Sequence, residues 1–243
     1  MEVIIETDYE RMSATTAEHI VAAIQKNPKA LLCLAAGDTP RLAYSMIGKI
    51  AAEKRVGLDQ CSFVSLDEWM GIPPQNEGSC QYFLRSVVFG PLHIAEDRIH
   101  LFNALSTDPA SECEKMDRFI AAKGAIDLMV VGIGRNGHIG FNEPGVPFEK
   151  YSHVVDLDEV TRSVGQKYFS QKTELSQGIT LGLQYLLESK NAILIANGEK
   201  KAEVMRQALE EEISTAMPAS AVRKHNNALV ILDREAASSL KKS

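Results

Sequence analysis

The stretch 126-IDLMVVGIGRNGHIGFNEPG-145 decides the fold, because it joins an almost unbroken aliphatic run to a glycine-rich loop. Residues 126–131 have the length of a strand and lack the alternation of a half-exposed one, so they predict a strand buried on both faces. Gly132, Gly134 and Gly137 then fit G-x-G-x-x-G, the pattern of a dinucleotide loop. That reading requires a helix starting at the glycines, so that a pyrophosphate meets its N-terminus. Gly140, Pro144, Gly145 and Pro147 defeat such a helix. What remains is a tight loop that presents Asn136, His138, Asn142 and Glu143 at the end of a strand. His138 can move protons near neutral pH, and Glu143 can orient or charge-balance its ring.

Working outward, four more aliphatic runs read as buried strands: 30–35, 61–66, 192–196 and 228–232. Helical spacing of apolar residues appears between them at 17–25, 42–52, 82–88, 112–121, 182–187 and 202–209. Strand alternating with helix predicts an α/β fold: one Rossmann-like domain over residues 1–243, with a doubly wound, mainly parallel sheet and no dinucleotide site. Ligands of such sheets bind at the carboxyl ends of the strands.

Two further loops lie at such ends. In 35-AAGDTPRLAY-44, Thr39 reads as a helix N-cap and Pro40 as the first helical residue, which leaves backbone N–H groups facing outward. With Gly37 allowing close approach, these donors and the Thr39 hydroxyl offer a phosphate site, although an ordinary capped turn fits equally well. Asp38 is awkward beside a phosphate unless its side chain turns away. In 64-VSLDEWMGIPPQNEGSC-80, Asp67 and Glu68 stand at a strand end. Partial desolvation there raises a carboxyl pKa and suits Asp67 to taking a proton from carbon; a solvated acidic pair is the alternative. Trp69 either covers the site or packs.

Composition narrows the function classes. A net charge of −6 without a Lys/Arg cluster argues against a nucleic-acid surface. The N-terminus MEVIIETDYERM carries acids where a signal peptide carries positive charge, and no apolar run reaches the ~18 residues of a membrane span, so a cytoplasmic protein without membrane partners is expected. Cys33, Cys61, Cys80 and Cys113 form no C-x-x-C pair and the six histidines no H-x-H or H-E-x-x-H; reduced thiols and no metal site are the expectation.

With these loops in hand, the chain resembles the glucosamine-6-phosphate deaminase and 6-phosphogluconolactonase superfamily, through 36-AGDTP-40, 65-SLDEWMG-71, 131-VGIGRNGHIGFNEPG-145, 179-ITLGL-183 and 216-AMPAS-220 in family order. The run Phe141-Asn142-Glu143-Pro144 is similar to the deaminase branch, where lactonases carry a Thr-Ala-Ser-Leu-Phe-Pro type sequence. Asn136 stands where glucosamine-6-phosphate deaminases usually carry Asp, and with 66-LDEW-69, 142-NEPG-145 and 214-STAMPAS-220 it looks closest to the branch described as galactosamine-6-phosphate isomerase or deaminase.

The resemblance implies deamination and isomerisation of a hexosamine 6-phosphate, galactosamine favoured and glucosamine the alternative, with no metal or organic cofactor. It implies that His138, supported by Glu143, assists ring opening and that Asp67 carries the proton from C2 to C1. It further implies phosphate binding by backbone groups at Gly37 and Asp38, by Thr39, and by Lys167 and Lys201. Lys200 is the alternative to Lys201, and Lys167 replaces a usual Arg, losing its bidentate fork. The absence of a long C-terminal extension leads to the expectation of a monomer or small oligomer. Two other readings remain: a 6-phosphogluconolactonase, and a sugar-phosphate sensor without turnover.

Overall fold

A computed structural model describes residues 1–241. Its strands are β1 (Glu2–Glu6), β2 (Leu31–Leu34), β3 (Ser62–Ser65), β4 (Asp67–Trp69), β5 (Ile99–His100), β6 (Leu128–Gly132), β7 (His153–Asp156), β8 (Gln177–Thr180), β9 (Ala192–Ala196) and β10 (Ala228–Asp233). The helices are α1 (Tyr9–Lys26), α2 (Asp38–Glu53), α3 (Cys80–Leu84), α4 (Pro109–Lys123), α5 (Glu159–Gly165), α6 (Leu183–Glu188) and α7 (Ala202–Glu210).

Successive residues of a strand point to opposite faces. In β2, Leu31 and Cys33 join one core and Leu32 and Leu34 the other; in β6, Met129 and Val131 divide from Leu128 and Val130 in the same way. Both faces are therefore covered, which is why these strands read as continuous apolar runs. Helices α1 and α2 supply the core of one face, α4, α6 and α7 that of the other. Cys33, Cys61, Cys80 and Cys113 are free and buried.

The large sheet has the order β1-β10-β9-β6-β2-β3-β5, with every neighbouring pair parallel. The chain winds outward from β2 through β3 to β5, then returns to β6 on the other side of β2. The order thus reverses between β2 and β6, and a crevice opens at their carboxyl ends. No helix among the described residues is long and apolar enough to cross a membrane.

A second sheet, β4-β8-β7, is antiparallel and lies beside the expected, mainly parallel one. Its strands are three or four residues long, too short for alternation to be read. It frames a third apolar cluster in which Trp69 packs at 4.6 Å from Phe141 and 6.0 Å from Phe169, ring centre to ring centre.

Gly182, the N-cap of α6, packs tightly against the backbone of the 150–151 loop. A Cβ there would lie 2.0 Å from the Lys150 carbonyl oxygen and 2.3 Å from that of Tyr151. Neither backbone oxygen can swing aside, so Gly182→Ala is expected to destabilise by about 3 kcal/mol. Calorimetry should show Tm lowered by roughly 6–12 °C; an unchanged Tm would mean that the 150–151 segment yields freely.

Candidate active site

A cavity of about 230 Å³ lies at the carboxyl ends of β2, β3 and β6. Its floor is made by residues 35–37 and 132–134, and its opposite wall by α5 with the short 3-10 turn Gln166–Tyr168. Asp67, Asn136, His138, Gly37, Asp38, Thr39, Lys167 and Lys201 all line it, so loops far apart in sequence converge as expected. Glu143 lies behind His138, buried, and reaches the cavity only through its neighbours.

On one side stands Asp67, half-buried at the start of β4, two residues beyond the end of β3. Burial raises its pKa to about 7, helped by the adjacent Glu68 charge and opposed by the Cys80 thiol. Glu68 has a different task. Fully buried, it accepts backbone N–H bonds from Trp69 (2.9 Å), Cys80 (2.9 Å) and Gln81 (2.8 Å), which fixes the start of α3 against β4. Trp69, which the sequence left between covering and packing, lines the cavity and anchors the aromatic cluster beneath it.

Across the cavity, His138 and its partners form a closed network. Its Nδ1 lies 2.9 Å from Thr161 Oγ1 and 3.3 Å from Glu143 Oε2. Asn136 Nδ2 donates to Glu143 Oε2 at 2.8 Å, and Asn136 Oδ1 accepts the His138 backbone N–H at 3.3 Å. Burial raises the Glu143 carboxyl, but hydrogen bonding and charge interaction with His138 and bonds from Thr161 and Asn136 prevail, so its pKa is lowered. Close approach at Gly134 lets the imidazole lie flat: a Cβ there would sit 2.3 Å from His138 Cδ2 and Nε2.

The third side is cationic. Lys167 Nζ bonds Asp38 Oδ2 at 2.7 Å, which resolves the awkward carboxylate by pairing it. Burial lowers the Lys167 pKa, yet the bond to Asp38 and the neighbouring Tyr168 outweigh it and leave it raised. Lys201 donates to the Ile133 carbonyl, and burial together with the charges of Lys167 and Arg135 lowers its pKa to about 8. Lys200 is exposed and does not line the cavity, whereas Lys201 does.

Two expectations need correction or addition. Thr39 is not the N-cap and Pro40 not the first helical residue: α2 begins at Asp38 with Gly37 as N-cap, at φ 117°, because only glycine turns the chain there without strain. No side chain caps this end, so its N–H groups remain turned to the cavity, while the Thr39 hydroxyl donates to Asn197 Oδ1 at 2.7 Å. Missed by the sequence reading were Arg135, Thr161 and Tyr168. Arg135 was visible inside the glycine-rich motif; Thr161 and Tyr168 come from α5 and the turn after it, where no amphipathic pattern marks an element.

Comparison with known proteins agrees with this geometry. The family described as glucosamine-6-phosphate isomerases/6-phosphogluconolactonase matches residues 7–231. The chain is 37% identical over 239 residues to a glucosamine-6-phosphate deaminase of Shouchella clausii, covering 98% of this chain and 97% of that one. It is 38% identical over 239 residues to one of Bacillus pumilus, covering 98% and 99%. A solved structure of a monomeric glucosamine-6-phosphate deaminase superposes with a TM-score of 0.95 at 34% identity, covering 98% of this chain and all of that one. A 6-phosphogluconolactonase from Trypanosoma brucei superposes at 0.78 with 20% identity over 99% and 98%, a likeness of fold alone.

Proposed function

Because this chain belongs to the glucosamine-6-phosphate isomerase/6-phosphogluconolactonase family, we propose that its cavity converts a hexosamine 6-phosphate to the ketohexose 6-phosphate with release of ammonia. The observation that carries this reading is Asp67: a half-buried carboxyl with pKa about 7, in one small cavity with an imidazole network and a cationic wall. A base poised near the working pH suits proton removal from a carbon acid. Ester hydrolysis of a lactone calls for no base of this kind at C2, so the same residue speaks against the lactonase and against a sensor without turnover.

The steps balance as follows. His138 takes the proton of the C1 hydroxyl and a proton is returned to the ring oxygen as the C1–O5 bond breaks. The Asp67 carboxylate removes the C2 proton while the aldehyde oxygen is protonated, giving a cis-enolamine. Asp67 then delivers its proton to C1, and the iminium left at C2 is hydrolysed by water, so ammonia departs and a ketone remains.

The phosphate is read by charge. Lys167, Lys201 and Arg135 offer three positive charges and Asp38 removes one, leaving two to face the dianion. The uncapped start of the 16-residue α2 adds its dipole and free N–H groups.

Relatives named glucosamine-6-phosphate deaminases support glucosamine 6-phosphate as the substrate. The expectation of galactosamine rests on Asn136 taken together with residues 66–69, 142–145 and 214–220. The amide of Asn136 donates to Glu143 and its carbonyl accepts from His138, so its polar groups serve the histidine network and offer no reading of C4.

The deciding experiment measures ammonia release from glucosamine 6-phosphate and galactosamine 6-phosphate in parallel, with 6-phosphogluconolactone hydrolysis as control. Faster kcat/KM for the glucosamine epimer is expected; lactone hydrolysis without ammonia would overturn the assignment. The pH profile offers a further check. Asp67 must be ionised and Lys201 charged in the free enzyme, so kcat/KM should rise through about pH 7 and fall through about pH 8. Lys201→Gln should lower kcat/KM about 10- to 100-fold by removing a charged phosphate contact, and should abolish the alkaline limb. An alkaline limb that survives in the variant would belong to another group.

A further inference from the structure

His138 Nδ1 has two partners, Thr161 Oγ1 and Glu143 Oε2, and its shorter contact is with the hydroxyl. A good N–H···O bond spans about 2.7–3.2 Å. The His138 Nδ1 meets that standard with Thr161 Oγ1, at 2.9 Å, and exceeds it with Glu143 Oε2, at 3.3 Å. Glu143 Oε2 is already engaged by Asn136 Nδ2 at 2.8 Å, and the same amide nitrogen lies 3.4 Å from Thr161 Oγ1.

Resting on the deaminase reading above, we propose that Thr161 is a positioning residue of the reaction: its hydroxyl accepts the hydrogen bond of the His138 Nδ1–H and, with the Glu143 carboxylate beside it, fixes the ring. A hydroxyl has two acceptor lone pairs, so Thr161 can take the His138 Nδ1–H and the Asn136 amide together. This assigns the tautomer. With Nδ1 protonated and tied, Nε2 carries the lone pair, as it must to take a proton from the sugar hydroxyl. A carboxylate alone would also favour that tautomer, but a single long bond leaves the ring free to rock; two anchors fix its plane.

The element that carries Thr161 strengthens the case. Thr161 is buried on α5, whose start is held by the other Glu143 oxygen: Oε1 accepts the Asp158 backbone N–H at 3.3 Å. At the other end of α5, Gly165 lies so close to Trp69 that a Cβ would fall 2.6 Å from the indole. Thus one carboxylate sets both the imidazole and the helix that presents the hydroxyl, and that helix is wedged against the strand beginning with Asp67. The turn after α5 brings in Lys167 and Tyr168, so the wall that fixes His138 also contributes to the cationic side.

The test compares Thr161→Val, which keeps the shape and removes the hydroxyl, with Thr161→Ser, which keeps the hydroxyl. Ammonia release from glucosamine 6-phosphate is read as kcat and KM, and the ¹⁵N shifts of the His138 ring are read on the substrate-free proteins. Thr161→Val should lose about tenfold or more in kcat with KM within about threefold, Thr161→Ser should stay near the parent, and the parent's single Nδ1-protonated tautomer should give way to a mixture in the Val variant. Unchanged kcat and ring shifts in Thr161→Val would overturn the proposal. So would equal losses in the Val and Ser variants accompanied by a lower Tm, since that pattern reports packing. If the parent releases no ammonia from either hexosamine phosphate, the deaminase reading fails, and the ring shifts alone then decide whether the hydroxyl fixes the His138 tautomer.

Discussion

Asp67→Asn is expected to lose kcat by ~10²-fold or more while binding substrate about as well as the parent, because it removes the proton carrier and leaves the phosphate contacts in place. The same variant should be more stable above neutral pH. With the folded pKa at about 7 against a model value of 3.8, the native protein holds a proton between roughly pH 4 and 7 that the unfolded chain has released. Stability therefore falls as pH rises through that window and stays low above it, by up to about 4 kcal/mol. Asn carries no charge to bury, so its Tm should exceed the parent's by several degrees at pH 8, with the gap closing towards pH 4. Loss of activity without any gain in Tm would show that the Asp67 carboxylate is well solvated in the native protein, and the argument for a base poised near neutrality would fall with it.

Gly134→Ala should be nearly as damaging to turnover, through a different cause. The added methyl would arrive 2.3 Å from the imidazole of His138, at the edge bearing Nε2, so the ring must leave its place. Gly134 does not have a positive φ, so the backbone accepts alanine without strain and the penalty falls on the ring. A fall in kcat on the order of 10²-fold or more is expected, the size of a lost acid-base group, with KM for the phosphate substrate little changed. By contrast Gly137, at φ 86° with Met217 Sδ 2.2 Å from any Cβ, combines strain with overlap, and alanine there should unfold the loop as well. If Gly134→Ala turns over at the parent rate, His138 is mobile enough to work from another position, or the histidine does not open the ring.

The buried strands were legible because both faces of the large sheet are covered, which turns each strand into a short apolar run. The run at 192–196 coincides with β9, and the others are displaced by one or two residues at their ends. Three features escaped. β1 pairs only with β10 at the edge of the sheet, and its Val3 and Ile5 are exposed, so nothing in its pattern marks burial. β4, β5, β7 and β8 are too short to show a period. The seven-residue α5 places only Thr161 and Gly165 in the interior, giving no apolar stripe to follow.

The candidate site divides along the same line. His138, Glu143 and Asn136 sit in the loop directly after β6, and Asp67 opens β4 two residues after β3, where glycines and carboxylates stand out against an aliphatic background. Thr161 and Tyr168 gave no such signal, since a threonine or a tyrosine in a short polar helix acquires meaning only from what it faces.

By itself, then, the sequence determined the alternation of strand and helix, the failure of the dinucleotide pattern and the polar groups of the glycine-rich loop, because burial and backbone conformation act on residues close together in the chain. Tertiary structure alone decided which lysine faces the cavity, how Asp38 is neutralised, that Gly37 and not Thr39 turns the chain into α2, and which hydroxyl meets the histidine. Those outcomes depend on distances between loops more than a hundred residues apart in places, as with Asp38 and Lys167, and on the burial that moves Asp67 and Lys201 towards neutrality. Electrostatics of that kind is a property of the assembled cavity, since desolvation and neighbouring charge exist only once the chain has folded.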